Sequence, residues 1–141
     1  MKNRVLFSIV LFSILSFFTS CASLQKDKEK EIFVKQFVSN NGILNSLESF
    51  YNEKTITIYD ENKVLVTDTK TFDTSPRTVN MVILKPQNNK YLSIKNFVLN
   101  QNLACLTFLT ADREEGFVFY LRRKDNKNEW QISNMFRQHT R

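Results

Sequence analysis

The side chains able to do chemistry in this 141-residue chain are few and scattered. Acid–base work needs titratable groups within about 3 Å of a substrate and with shifted pKa values. The candidates are Tyr59-Asp60, Asp73, Glu114-Glu115 and the single histidine, His139. Each carboxylate reads as a turn or solvated residue, because Asp and Glu are mostly exposed. His139 lies beyond the last expected strand and reads as exposed. Cys105 sits in the apolar run Leu103-Ala104-Cys105-Leu106-Thr107-Phe108, where a thiol behaves as a small hydrophobe. A nucleophilic Cys needs a lowered pKa and a base, and neither is signalled nearby. Two Cys and one His cannot make a zinc set. Two Gly cannot build a phosphate-cradling loop, which needs several residues free to take positive φ. No catalytic, cofactor-binding or metal-ligating residue is expected.

The other sulfur, Cys21, has a clearer context. Lys2 and Arg4 precede the uncharged run Val5–Phe18, VLFSIVLFSILSFF. At 1.5 Å per residue this run covers roughly 21 Å, short of the ~30 Å hydrocarbon core, so it reads as a signal peptide rather than a span. It leads into Phe18-Thr19-Ser20-Cys21, which resembles the bacterial lipobox, with Phe18 where Leu is usual. That resemblance implies cleavage before Cys21 and a lipid on its sulfur. Ordinary cleavage after Ala22 is the alternative, since Ser20 and Ala22 are small. Residues 21–31 then form a polar, mixed-charge tether ahead of a domain at 32–141. Loss of residues 1–20, with Lys2 and Arg4, leaves a 121-residue chain of charge +4. Arg122, Arg123, Lys124 and Lys127 cluster at one turn and read as a solvated hairpin; nucleic acid is not an expected partner of an exported chain.

The elements that must position these residues divide by period. Phe33 with Phe37, and Val34 with Val38, are i,i+4 pairs, and Ile43, Leu44, Leu47, Phe50 and Tyr51 share a second helical face. The spacing predicts helices over 28–38 and 43–52, separated by the capping turn Ser39-Asn40-Asn41-Gly42. Alternating and β-branched runs then predict strands at 55–59, 64–67, 78–85, 91–99, 103–110, 117–124 and 129–136, with 68–77 a loop. Phe117, Phe119 and Leu121 are expected on one face, as are Trp130, Ile132 and Phe136. That face needs cover, and the two helices are available. The expected class is α+β, with N-terminal helices packed on a curved antiparallel sheet.

This order resembles the nuclear transport factor 2-like superfamily, which includes SnoaL-like cyclases and ketosteroid isomerases. The residues carrying the resemblance are VKQFVSNNGILNSLESFYNEKTITIYD (34–60), IKNFVLNQNLACLTFLT (94–110) and GFVFYLRRKDNKNEWQIS (116–133). It implies a cystatin-like cone whose mouth holds a small apolar ligand, with Tyr51, Phe119 and Trp130 as candidate lining. The family inserts a third helix after the first strand, and 61–77 shows no convincing helical periodicity, so that helix is either lost or replaced by the Val64–Thr67 strand. Enzymatic members use a buried Tyr–Asp or Asp–His set, and no such set is visible here.

The leading expectation is a non-catalytic exported lipoprotein, anchored in the bacterial cell envelope on a periplasmic or surface face. Its domain would bind a small apolar ligand or an envelope protein. The alternatives are an isomerase, cyclase or dehydratase of the same superfamily, and a periplasmic inhibitor or immunity-type protein. Thr107, Leu109, Val118, Tyr120 and Met135 are expected on the outer sheet face, apolar enough to allow a homodimer.

Overall fold

The computed structural model describes residues 26–51, 54–125 and 129–139, without the side chains of Phe50 and Tyr51. The run expected to be a signal peptide, Cys21, the start of the expected tether, the Tyr51 side chain and Lys127 lie outside the described residues. The chain divides into two units, Met1–Ile32 and Phe33–Arg141. The described part of the first, residues 26–32, is helical, with exposed or half-buried side chains. No helix among the described residues is long and apolar enough to cross a membrane.

The helix α1 spans 26–39 and α2 spans Asn41–Tyr51. Asn40 divides them as the turn composition anticipates. Its Oδ1 accepts the Ile43 N–H at 3.1 Å, a capping bond at an otherwise orphaned donor, and its Nδ2 donates to the Trp130 carbonyl at 2.8 Å.

The strands are β1 (Thr55–Tyr59), β2 (Lys70–Asp73), β3 (Thr78–Val82), β4 (Leu92–Asn100), β5 (Leu103–Thr110), β6 (Glu115–Arg122) and β7 (Gln131–His139). They form an open seven-stranded sheet in the order β2-β3-β1-β4-β5-β6-β7. The class is α+β, and the sheet is mostly but not wholly antiparallel. β1 lies between β3 and β4 and is parallel to both.

One buried cluster gathers Phe33, Phe37 and Leu47 from the helices with Ile58, Leu106, Phe108, Phe119 and Leu121 from the sheet, and with Trp130. Its aromatic contacts run from Phe33 to Phe97 (ring centroids 5.0 Å), from Phe33 to Trp130 (5.3 Å, edge to face) and from Phe37 to Phe108 (6.1 Å). Tilted and edge-on pairs of this kind add to area burial.

Three expectations need correction. The run Val64–Thr67 is not a strand. The Asp60 carboxylate takes the N–H groups of Val64, Leu65 and Val66 at 2.8, 2.7 and 2.9 Å, so a sheet neighbour has no claim on them. Leu65 and Val66 reach the core from this loop. The sheet pairing falls instead to Lys70–Asp73, whose polar composition reads as loop because it is a sheet edge. Asp60 itself is fully buried, not a solvated turn residue.

The last strand also departs from simple alternation. Tyr120 pairs with Asn134 but Leu121 with Ile132, leaving Ser133 as an extra residue in β7. A bulge of this kind reverses which side chains face in. Phe136 therefore sits opposite Val118, on the face away from Phe119, 52% exposed and edge-on to Tyr120 at 6.0 Å. Met135 is opposite Phe119, on the inner rather than the outer side. His139 ends this strand rather than following it, and it is exposed.

Candidate functional site

Tyr59 ends β1 beside Ser93, its register partner in β4, while Ile58 and Leu92 pair one step earlier and are buried. Since side chains alternate, Tyr59 and Ser93 stand on the opposite face of the sheet from that core pair. There they floor a recess of about 100 Å³, also lined by Glu61, Lys85, Tyr91, Lys95, Thr110, Ala111 and Arg113. This is small beside the 300–1,000 Å³ of sites for whole drug-sized ligands, so it suits a single functional group.

Each cation reaches the recess by an identifiable local device. Lys85 follows β3, whose parallel pairing ends at Tyr59↔Val82. Lys95 is the extra residue of a bulge in β4, between Ile94 (opposite Phe108) and Asn96 (opposite Thr107). Being two residues from Ser93, Lys95 stands on the same face of β4, ahead of the point where the pairing shifts.

Arg113 stands in the turn between β5 and β6 with φ of 63°, a left-handed conformation that costs a non-glycine residue about 1 kcal/mol. The turn is tied down around it. The Arg113 N–H donates to the Thr110 carbonyl at 2.9 Å, the Glu114 N–H to Asp112 Oδ1 at 3.0 Å, and the Glu115 N–H to Thr110 Oγ1 at 3.1 Å.

The tyrosines give the recess its neutral donors. Tyr59 and Tyr91 meet edge to face, with ring centroids 5.7 Å apart. Burial, then the Glu61 carboxylate and Tyr91, raise the Tyr59 hydroxyl above its usual range. Tyr91 and Ser93 are only 5% and 6% exposed. Neither hydroxyl has a hydrogen-bond partner among the described residues. Thr110 differs, because its hydroxyl already donates to Asp112 and accepts from Glu115.

The Asp60 loop carries the remaining wall. Three N–H bonds to its carboxylate, and a Lys63 N–H bond to its carbonyl at 3.1 Å, fix the turn that holds Glu61 at the rim. Lys85, Lys95 and Arg113 thus share the recess with the Glu61 carboxylate and with the hydroxyl-bearing side chains of Tyr59, Tyr91 and Ser93.

The residues expected to line an apolar cone are elsewhere. Phe119 and Trp130 are both buried in the core, Phe119 edge-on to Phe108 and Trp130 against Phe33, and neither lines this recess. The Arg123 guanidinium lies over the Trp130 ring at 4.7 Å. Cys105 is a half-buried free thiol on β5. Asp73 accepts the Thr78 hydroxyl at 3.1 Å at the far edge of the sheet. Glu115 pairs in fork fashion with Arg137, and His139 stands 3.7 Å from it. Among the described residues no group of three His, Cys, Asp or Glu side chains is placed to hold a metal ion.

Of the singled-out residues whose side chains are described, Tyr59 alone lines the recess. Tyr91, Ser93, Lys85, Lys95 and Arg113 have no sequence motif, and the parallel β1–β4 contact that joins them is long-range. Comparison with protein-family models, curated proteins and solved structures finds no match to this chain.

Proposed function

We infer that this chain is an exported lipoprotein, held in the bacterial cell envelope by lipid on Cys21, whose folded domain is a non-catalytic binding module for a small anion-bearing ligand. The observation that carries the binding reading is the recess at Tyr59 and Tyr91, where Lys85, Lys95 and Arg113 line one cleft with the hydroxyl-bearing side chains of Tyr59, Tyr91 and Ser93. The envelope reading rests on the signal-like run Val5–Phe18 and on Phe18-Thr19-Ser20-Cys21.

A cystatin-like cone is the architecture we assign to the domain, supported by the order of two helices followed by a long-stranded sheet. In that reading the interior is filled by Phe108, Phe119 and Trp130, which are buried. Binding then belongs to the surface recess rather than to the centre of the cone.

Two measurements test this. Mass spectrometry of the mature N-terminus should find an acylated Cys21, and an unmodified N-terminus at Ser23 would overturn the anchor. A thermal-shift panel of small anions should raise the melting temperature by a few degrees at ten times Kd, where linkage supplies about 1.4 kcal/mol. A panel in which no anion stabilises the protein would overturn the binding reading.

A further inference from the structure

We propose that the outer face of the sheet over β4–β7 is a docking surface for an anionic lipid bilayer. It is separate from ligand binding at the recess, and rests on the envelope reading only for a bilayer within reach.

Alternation sorts these strands into two faces. Leu106, Phe108, Phe119 and Leu121 point into the core, and the residues between them share the other face. Val98, Cys105 and Tyr120 are successive register partners across it, flanked by the pair Leu103–Arg122 on one side and Val118–Phe136 on the other. Val98, Leu103, Tyr120 and Phe136 are four of the seven large apolar side chains exposed among the described residues. Single exposed apolar residues are ordinary, but a cluster of them on one face marks a contact surface. At its centre Tyr120 and Phe136 meet edge to face at 6.0 Å. A ring with a polar tip, such as Tyr120, suits the boundary between acyl chains and headgroups.

Charge decides what the face meets. β4, β5 and β7 contain no Asp or Glu. The one carboxylate of β6, Glu115, falls on the other alternation and is forked by Arg137. The charges that the face does carry are both positive and exposed. Lys95 stands near one end of it, beside the register of Thr107 and Phe108, and Arg122 at the other, opposite Leu103. An apolar, aromatic centre with cations at its ends fits acyl chains beneath anionic headgroups, where long basic side chains lie along the surface and reach phosphates. A second copy fits less well, because Lys95 and Arg122 would meet a face with no carboxylate to receive them. A domain already tethered to the bilayer needs little intrinsic affinity for this contact, since the tether makes it an intramolecular event.

The test puts an environment-sensitive fluorophore on the full-length exported protein in a Cys105→Ala background. It is attached at Leu103→Cys on this face, or at Ser49→Cys on α2, which packs on the opposite face. The vesicles contain chain-brominated phosphatidylcholine, with or without phosphatidylglycerol. With phosphatidylglycerol, quenching at Leu103→Cys should exceed that at Ser49→Cys several-fold. It should fall several-fold in high salt, or when Lys95→Gln and Arg122→Gln are combined. Phe136→Ser should lower it too, while the melting temperature without vesicles stays close to wild type. Equal quenching at the two positions, or the same quenching without phosphatidylglycerol, would overturn the proposal. Shielding of the Leu103→Cys probe that needs no vesicles and grows with protein concentration would overturn it in favour of a second copy. Failure here beside an acylated Cys21 overturns the docking face and leaves the anchor standing; selective quenching beside an unmodified N-terminus does the reverse.

Discussion

The Asp60 carboxylate accepts the Leu65 N–H at 2.7 Å, and this bond joins the end of β1 to a loop that sends Leu65 into the core. With the Val64 and Val66 bonds, it makes one buried side chain the acceptor for three successive backbone donors. The same loop carries Glu61 to the rim of the recess, so folding and site share a support.

Replacing Asp60 is therefore expected to cost more than a surface turn substitution. Asp60→Ala strands buried donors, each worth about 1–3 kcal/mol when unsatisfied, for a loss of roughly 3 kcal/mol or more. Asp60→Asn keeps one acceptor oxygen and should lose less. Urea denaturation measures both, and an Asp60→Ala protein within 0.5 kcal/mol of wild type, on the ordinary surface scale, would refute this role.

Arg113 offers a trade between stability and binding. Glycine takes its left-handed φ without strain, so Arg113→Gly should leave stability unchanged or raise it by up to about 1 kcal/mol. The loss of a cation from the recess should weaken anion affinity at the same time. A variant that unfolds more easily and still binds normally would reverse both expectations.

Tyr59 predicts an alkaline effect. Its folded pKa lies above the ordinary tyrosine value of 10.0, so the folded state holds the proton more firmly than the unfolded chain. Its contribution to stability is complete below pH 10 and declines as pH rises from there through the raised folded pKa. Tyr59→Phe should flatten the decline of melting temperature above pH 10. Superimposable pH profiles for the two proteins would contradict the shift.

The bulge in β7 is tested by a pair of phenylalanines. Phe119→Ala should cost about 3–5 kcal/mol, as expected for an aromatic removed from a packed core. Phe136→Ser, on the other face and half exposed, should cost less than about 1 kcal/mol. Equal losses would mean that Phe136 is interior.

These two residues show where the sequence was legible. Leu103–Thr110 is bounded as its alternation suggests, and the break between the helices falls where Asn40 caps. Such signals are local and survive any tertiary arrangement. Phe136 leaves the face that alternation predicts because a single extra residue, Ser133, reverses parity without leaving a mark in the composition. Val64–Thr67 looked like a strand because its apolar residues are indeed buried. Their backbone donors, however, go to Asp60 and not to a neighbouring strand.

The recess was less visible still. Its cations are separated in sequence and brought together by the parallel pairing of Tyr59 with Ser93, two residues before Lys95, and by a left-handed turn residue, Arg113. In the sequence Tyr59-Asp60 reads as the turn at the end of a strand. The two side chains have different work: Tyr59 lines the recess, and Asp60 faces its own loop.

The central claim is that an anion binds at this recess and not within the aromatic core. The most direct measurement is a backbone NMR titration of the full-length protein with inorganic phosphate, repeated for Lys95→Glu. The account predicts saturable shifts concentrated at Ser93, Lys95, Thr110 and Arg113, with Phe119 and Trp130 little changed, and their loss in the variant. Shifts centred on Phe119 and Trp130, or an identical response from Lys95→Glu, would contradict it.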